Sequence, residues 1–129
     1  MNTFTKRRTR QTQRVEATYP VVFLTADGPM EGETKNISTS RVFVRCRDPL
    51  RLNDITTMSI KVSAQESLQA EGEVVWSNIY GPDDEITPRG MIVLLTGLSS
   101  KNRLRLRNII ARHYRKKLGR IADNKNPTD

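Results

Sequence analysis

The feature that most constrains the fold is a series of short β-rich runs between residues 17 and 95, each bounded by residues that favour turns. In the run ITTMSIKVS (55–63), apolar and polar residues alternate, so that Thr56, Met58, Ile60 and Val62 share the face predicted to meet a core. Such runs recur about every ten residues, as in all-β sandwiches and barrels. No helix-length periodic segment separates them, which argues against alternating strands and helices. The sequence therefore predicts an antiparallel β-barrel of about six strands.

One helix is predicted after the strands, over residues 99–119. Apolar residues recur there at every fourth position and form one stripe: Leu106, Ile110, Tyr114 and Leu118. Ile109 widens the stripe, and Arg and Lys occupy nearly all of the opposite face. Gly119 favours a helix end, and residues 120–129 have too little apolar content to pack, so they are predicted to be disordered. We expect this amphipathic helix to pack across one opening of the barrel.

Charge is concentrated at the two ends of this 129-residue chain, which is long enough for one domain. The formal net charge is +8; residues 1–14 hold five cations and no acid, and residues 101–129 hold ten cations against two acids. Such segregation indicates either an anionic partner or solvated tails. The sequence thus predicts a flexible basic arm over residues 1–14, the barrel over 15–98, the helix over 99–119 and the tail over 120–129.

The sequence offers little that could support catalysis or hold a metal. His113 is the single histidine and Cys46 the single cysteine, so neither a zinc site nor an internal disulfide is expected. His113 lies in the cationic helix and is expected on its surface, and the acids at 83–85 are interpreted as a solvated turn. No apolar run approaches the roughly 20 residues of a membrane span, and the N-terminus lacks the apolar region of a secretory signal. We expect a cytoplasmic protein that is not an enzyme and holds no metal or cofactor.

Two short motifs contain side chains suited to recognising an anion or a nucleobase. Arg10 and Arg14 are four residues apart, just before the first strand. A guanidinium pairs with two acceptors at once, such as those of a phosphate or of the Hoogsteen edge of guanine. Asn36 and Ser38 lie at a strand–turn–strand junction, and both side chains donate and accept hydrogen bonds. Taken separately, the motifs also fit plainer interpretations, a disordered basic terminus and an ordinary turn.

The order of these motifs along the chain resembles the PilZ domain family, over residues 7–112. Members of that family are small β-barrels that bind the bacterial second messenger cyclic di-GMP. Their signature is R-x-x-x-R in a flexible N-terminal segment and D/N-x-S-x-x-G on the barrel. Four residues match it: Arg10, Arg14, Asn36 and Ser38. The segment GEVVWS (72–77) is similar to the family's G-x-V-x-W strand, and Trp76 is expected to pack in or beside the barrel wall.

Arg41 departs from this signature, because it stands where the family has glycine. A glycine would let the backbone bend tightly and let a ligand approach closely. An arginine either fills the pocket or turns outward, where it can meet a phosphate or the face of a guanine. Because the other four signature positions are intact, we favour retained binding.

The resemblance implies a receptor that binds cyclic di-GMP and passes its level to an unidentified protein partner as the N-terminal arm becomes ordered. The expected ligand-binding residues are Arg10, Arg14, Asn36, Ser38 and Arg41. Two alternatives stay open. One is a degenerate PilZ module that binds protein but no ligand, and the other is a nucleic-acid-binding protein that uses the basic ends. Few exposed aromatic residues are available to stack on single strands, so nucleic acid is the less favoured partner.

Overall fold

The computed structural model describes residues 14–125 of the chain. That part of the chain contains the following strands and helix: β1 (Val15–Glu16), β2 (Pro20–Thr25), β3 (Gly28–Ile37), β4 (Arg41–Arg45), β5 (Ile55–Lys61), β6 (Ser67–Asn78), β7 (Gly90–Gly97) and α1 (Ser100–Lys125). Except for Arg14, the arm predicted at residues 1–14 lies outside the described residues, and so does the end of the predicted tail.

Six of these strands close into an antiparallel barrel, which confirms the predicted fold. They are hydrogen-bonded in the order β3-β2-β5-β6-β7-β4, and β4 pairs back with β3. The two-residue β1 pairs with the far end of β3, through Val15 opposite Ile37 and Glu16 opposite Asn36. It therefore continues the line of β2 along β3. Closure gives each of the six barrel strands two neighbours within the barrel, so none of these six is an edge strand.

The core fills the inside of the barrel because alternate residues of each strand point inward. In β5, Thr56, Met58 and Ile60 are each at most 3% exposed, as the alternation predicts. Val62 is partly buried and packs against the same core. The Thr56 hydroxyl donates a hydrogen bond to the carbonyl oxygen of Leu24 at 2.8 Å, so its burial leaves no unpaired donor.

The helix α1 packs against β1 and β6. Its residues Leu106, Ile109 and Ile110 are buried and join the core of the barrel, as the stripe predicts. Tyr114 and Leu118 are 39% and 47% exposed, so only the N-terminal half of the predicted stripe is covered. The described part of the chain contains no helix with the length and hydropathy that a membrane span needs.

The end of the helix differs from the prediction, because α1 continues past Gly119 to Lys125. Glycine ends a helix when it adopts a left-handed conformation. Among the described glycines, Gly28 has a positive φ and Gly119 does not, so Gly119 stays helical. A glycine inside a helix costs about 1 kcal/mol relative to alanine but does not prevent the helix from continuing. Residues 120–125, predicted to be disordered, are therefore part of α1.

His113 joins the helix to the barrel, in contrast to its expected place on the helix surface. Its Nε2 atom lies 2.7 Å from the hydroxyl oxygen of Tyr19, and the two rings meet edge to face with centroids 5.9 Å apart. Burial lowers the pKa of His113, and the nearby cations Lys116 and Arg112 lower it further. The neutral imidazole is thus favoured, and its tautomer sets which of the two groups donates the hydrogen bond between Nε2 and the Tyr19 hydroxyl.

This contact predicts a pH dependence of stability. The pKa of His113 is lower in the folded chain than the ordinary value near 6.5, so protonation of the ring favours unfolding. The stabilisation is fully present above that ordinary value and is lost as the pH falls toward the folded pKa. We expect the melting temperature to fall between about pH 7.5 and about pH 5.5, and His113→Gln to reduce that fall. Asn108→Gln, an exposed change on the same helix, should keep the parent's pH dependence. Identical pH dependence in the parent and His113→Gln would contradict this role.

Candidate functional site

The turn between β3 and β4 is built around the side chain of Ser38, which is 3% exposed. Its Oγ atom accepts hydrogen bonds from the amides of Arg41 at 3.0 Å and Ser40 at 3.2 Å. The amide of Ser38 donates to the carbonyl oxygen of Arg41 at 2.8 Å. The hydroxyl thus serves as acceptor for two amides inside the turn, a role that serine commonly plays. Ser38 therefore fixes the shape of the turn.

Arg41 begins β4 and points away from the barrel interior. Its backbone pairs with Leu94 of β7, its side chain is exposed, and it has no salt-bridge partner among the described residues. Among the described non-glycine residues, only Asn53 has a positive φ. Arg41 therefore has a negative φ, and its backbone conformation does not require glycine. Arginine at the position of the signature glycine thus neither strains the chain nor occupies the core.

A β-bulge in β3 turns Asn36 to the outside of the barrel. The pairing with β4 shifts register between Thr34 and Asn36, so Thr34 and Ile37 both face the core and are 1% and 2% exposed. Strict alternation would put Asn36 on the same side as Thr34. Asn36 instead lies half-buried on the outer face, opposite Phe43 of β4 and Glu16 of β1. Bulges commonly re-aim a side chain in this way near functional sites.

A second bulge, in β6, turns Trp76 outward. The pairing with β7 shifts register between Val74 and Trp76, and Trp76 lies opposite Ile92. Val74 is fully buried, whereas Trp76 is 38% exposed. Ile92 in turn lies opposite Phe43. Four residues on neighbouring strands thus form one line on the outer face, here called the outer row: Asn36, Phe43, Ile92 and Trp76.

Within the outer row, Phe43 and Trp76 form an aromatic pair across β7. Their ring centroids are 5.9 Å apart and their planes are tilted by 39°. Gly90 of β7 makes room for the Phe43 ring, because a Cβ atom at that position would lie only 2.8 Å from Cε1 of Phe43. The two rings therefore present a partly exposed apolar surface next to the amide of Asn36.

The loop between β6 and β7 is held together beside the outer row. The Asn78 side chain donates from Nδ2 to three carbonyl oxygens of the loop, those of Pro82, Thr87 and Pro88. Asp84 accepts from two loop amides, and Asp83 accepts from the amide of Arg89 at 2.8 Å. The acids at 83–85, interpreted from sequence as a solvated turn, thus include two that cap amides of their own loop. No cluster of His, Cys, Asp and Glu within residues 14–125 could hold a metal ion.

The described end of the basic arm reaches the β3–β4 turn. Arg14 directly precedes Val15, whose partner on β3 is Ile37, so the register places Arg14 beside Ser38. Its side chain is exposed. Arg10 lies outside the described residues. The other four residues of the predicted site lie around one turn, next to the outer row: Arg14, Asn36, Ser38 and Arg41. Their role in binding stays a prediction.

Sequence reasoning misses the aromatic pair as part of this surface. It assigns Trp76 to packing in or beside the wall and gives Phe43 no role. One signal was available for Phe43, because it alternates with Val42 and Val44 in a run whose valines face the core. No comparable signal existed for Trp76, since the bulge that turns it outward does not show in the alternation.

The closed barrel of six antiparallel strands, followed by one helix, places this chain among the small β-barrel domains. The PilZ domain family model matches residues 8–112, and the chain therefore belongs to the PilZ domain family. No curated protein matches the chain at a significant level.

Solved structures with the same fold include three whose sequences are distant from this chain. The PilZ domain of YcgR from Escherichia coli, solved with c-di-GMP, has a TM-score of 0.65 and 10% identity, over 85% of this chain and 95% of that one. The Bacillus subtilis inhibitor of motility MotI (DgrA) has a TM-score of 0.64 and 16% identity, over 82% of this chain. This chain spans only 49% of the MotI chain. The PilZ domain of CeSA from a cellulose-synthesizing bacterium has a TM-score of 0.53 and 20% identity, over 77% of this chain and 95% of that one.

The exposure of Trp76 predicts a moderate contribution to stability. Trp76→Ala should lower the free energy of unfolding by about 1–3 kcal/mol, because part of the ring is already in water. Phe23→Ala is the matched core variant, since Phe23 is 0% exposed, and should cost about 3–5 kcal/mol. Urea unfolding of both variants measures the difference. A cost at Trp76 equal to that at Phe23 would contradict its place on the outer wall.

Proposed function

We propose that this chain is a non-catalytic receptor for cyclic di-GMP, bound on the outer row and the β3–β4 turn. The observation that carries the proposal is the convergence of Arg14, Asn36 and Arg41 around one turn that Ser38 holds. Membership of the PilZ domain family supports it, and so does a PilZ domain of the same fold that was solved with c-di-GMP.

The chemistry of this surface matches the parts of a guanine dinucleotide. The Arg14 guanidinium is exposed and can pair with a phosphate or with O6 and N7 of guanine. The Asn36 amide is half-buried and offers a hydrogen-bond donor and an acceptor beside the turn. The aromatic pair of Phe43 and Trp76 offers a face on which a base can stack. A base, a sugar–phosphate ring and a second base would thus each meet a different part of the site.

The charges around the turn favour an anionic ligand. Arg14 and Arg41 are exposed and have no salt-bridge partner among the described residues. Arg45 lies further along β4, and its Nη2 atom is 4.0 Å from Oδ1 of Asp83. The charge of Arg45 is therefore partly neutralised. The cations nearest the turn are thus the ones available to a phosphate. The outward position of Arg41 favours ligand binding over the alternative in which this residue fills the pocket.

The attachment of the arm supports a mechanism in which binding orders it. β1 makes only two residue pairs with β3, so its own attachment to the barrel is short. A firm anchor follows directly, because the buried Thr34 hydroxyl donates to the carbonyl oxygen of Ala17 at 2.6 Å and accepts from the amide of Tyr19 at 2.8 Å. In this proposal the chain before Val15 folds down when its arginines meet the ligand, and the changed surface is recognised by a protein partner.

Arginine substitutions in the arm test the proposal. Arg14→Ala should weaken cyclic di-GMP binding roughly ten- to hundredfold, because a lost charged hydrogen bond costs about 1.5–3 kcal/mol. Arg8→Ala removes the same charge from the same arm but lies outside the R-x-x-x-R spacing, so it should change binding little. Calorimetry of the parent and both variants measures this. Equal losses would mean that general charge, and not the motif, is responsible, and a parent that does not bind would refute the proposal.

The role of Arg41 is tested by restoring the glycine of the family signature. Arg41→Gly should weaken binding, because it removes an exposed cation beside the site and opens no space in the core. The loss should shrink at high salt, where screening weakens charged contacts. Titrations at low and high salt, with melting curves to verify the fold, measure both effects. A clear gain in affinity would show that Arg41 obstructs the site.

A further inference from the structure

The face of α1 that points away from the barrel has an apolar stripe of its own. Leu104, Ala111 and Leu118 recur every seven residues, and Tyr114 lies three residues after Ala111. Leu104 is 54% exposed, Leu118 is 47% exposed and Tyr114 is 39% exposed. None of them belongs to the face that meets the barrel, which is made by Leu106, Ile109 and Ile110. These four residues, of which Ala111 is half-buried and the other three are exposed, are here called the helix seam: Leu104, Ala111, Tyr114 and Leu118.

The spacing of the helix seam fits a second helix better than a lipid surface. A repeat of seven drifts by only about 20° per heptad along a straight helix, which is the geometry of packing between two helices. Helices that lie in a membrane interface instead expose a broad apolar face. Here the stripe is narrow, and Arg107 interrupts it between Leu104 and Ala111. From Leu104 to Leu118 it covers about 21 Å, or roughly four helical turns.

The charges near the helix seam indicate which charge the partner carries. Residues 100–119 contain eight Lys and Arg and no acid. Among these cations, Arg105 has a salt bridge within the described chain, to Glu66 at 3.6 Å. Arg107 lies in the gap of the stripe and Arg115 lies beside it, each one helical turn from seam residues, so cations stand next to the apolar contacts. A second copy of α1 would bring like charges together along the whole contact, which disfavours self-pairing.

We propose that the helix seam docks an acidic amphipathic helix of a partner protein. Leucines of that helix would pack against Leu104 and Leu118, and its flanking carboxylates would pair with Arg107 and Arg115. Heptad packing sets the register of such a contact, and opposite charges at the flanking positions set the choice of partner. The proposal concerns α1 alone and does not rest on the binding of cyclic di-GMP.

The test uses a synthetic helical peptide with Leu at the two core positions of each heptad and Glu at the flanking positions, together with the same peptide carrying Lys in place of Glu. By fluorescence anisotropy, the parent protein should bind the Glu peptide and not the Lys peptide. The double variant Leu104→Gln/Leu118→Gln should lose at least about tenfold in affinity, and glutamine maintains the helix. The control Leu24→Gln/Leu52→Gln changes two leucines that are 53% and 58% exposed elsewhere, and should bind like the parent.

A second pair of changes tests the charges independently of the leucines. Arg107→Glu/Arg115→Glu should weaken binding of the Glu peptide and allow binding of the Lys peptide. The proposal is overturned if the parent does not bind the Glu peptide, or if the leucine variant binds it as well as the parent does. It is also overturned if the leucine pair is instead needed for binding to phosphatidylglycerol vesicles, or for self-association in sedimentation.

Discussion

The pairing of β3 with β4 is the interaction on which the rest of the structure depends. It closes the barrel, so each of the six barrel strands has two neighbours within the barrel and the core is enclosed. The Ser38 hydroxyl holds the turn between these two strands by accepting from the amides of Ser40 and Arg41. The same turn gathers Asn36, Arg41 and the end of the basic arm. The element that completes the fold is therefore also the centre of the proposed site.

The outer row depends on two departures from regular pairing. A bulge in β3 and a bulge in β6 each insert one residue, and after each bulge the side chains exchange faces. Asn36 and Trp76 are placed outside for this reason, while the residues that follow return to the core side. The proposed site thus lies on the wall of a packed barrel and does not require a cavity inside it. This explains how the chain keeps a dense core and still presents an amide, an aromatic pair and free arginines on one surface.

The sequence was sufficient for the fold because alternation, turn residues and one helical stripe all indicate the same barrel. It also identified Arg14, Asn36, Ser38 and Arg41, which the structure places around one turn. It could not predict the bulges, since they change the phase of a strand without changing its composition. The contact of His113 with the barrel and the continuation of α1 past Gly119 were missed for a related reason. Both depend on what packs nearby and on the backbone conformation that a residue adopts, and neither shows in the spacing of residues.

The central claim is that the outer row, with Trp76 in it, is the surface that meets cyclic di-GMP. Trp76 is the single tryptophan of the chain and is 38% exposed, so its fluorescence reports on this surface alone. Titration with cyclic di-GMP should change that emission in a saturable way, because a stacked base displaces water from the ring. GMP at the same concentrations serves as the control and should give a much weaker change. If calorimetry detects cyclic di-GMP binding while the Trp76 emission stays constant, the ligand binds elsewhere and the claim is wrong.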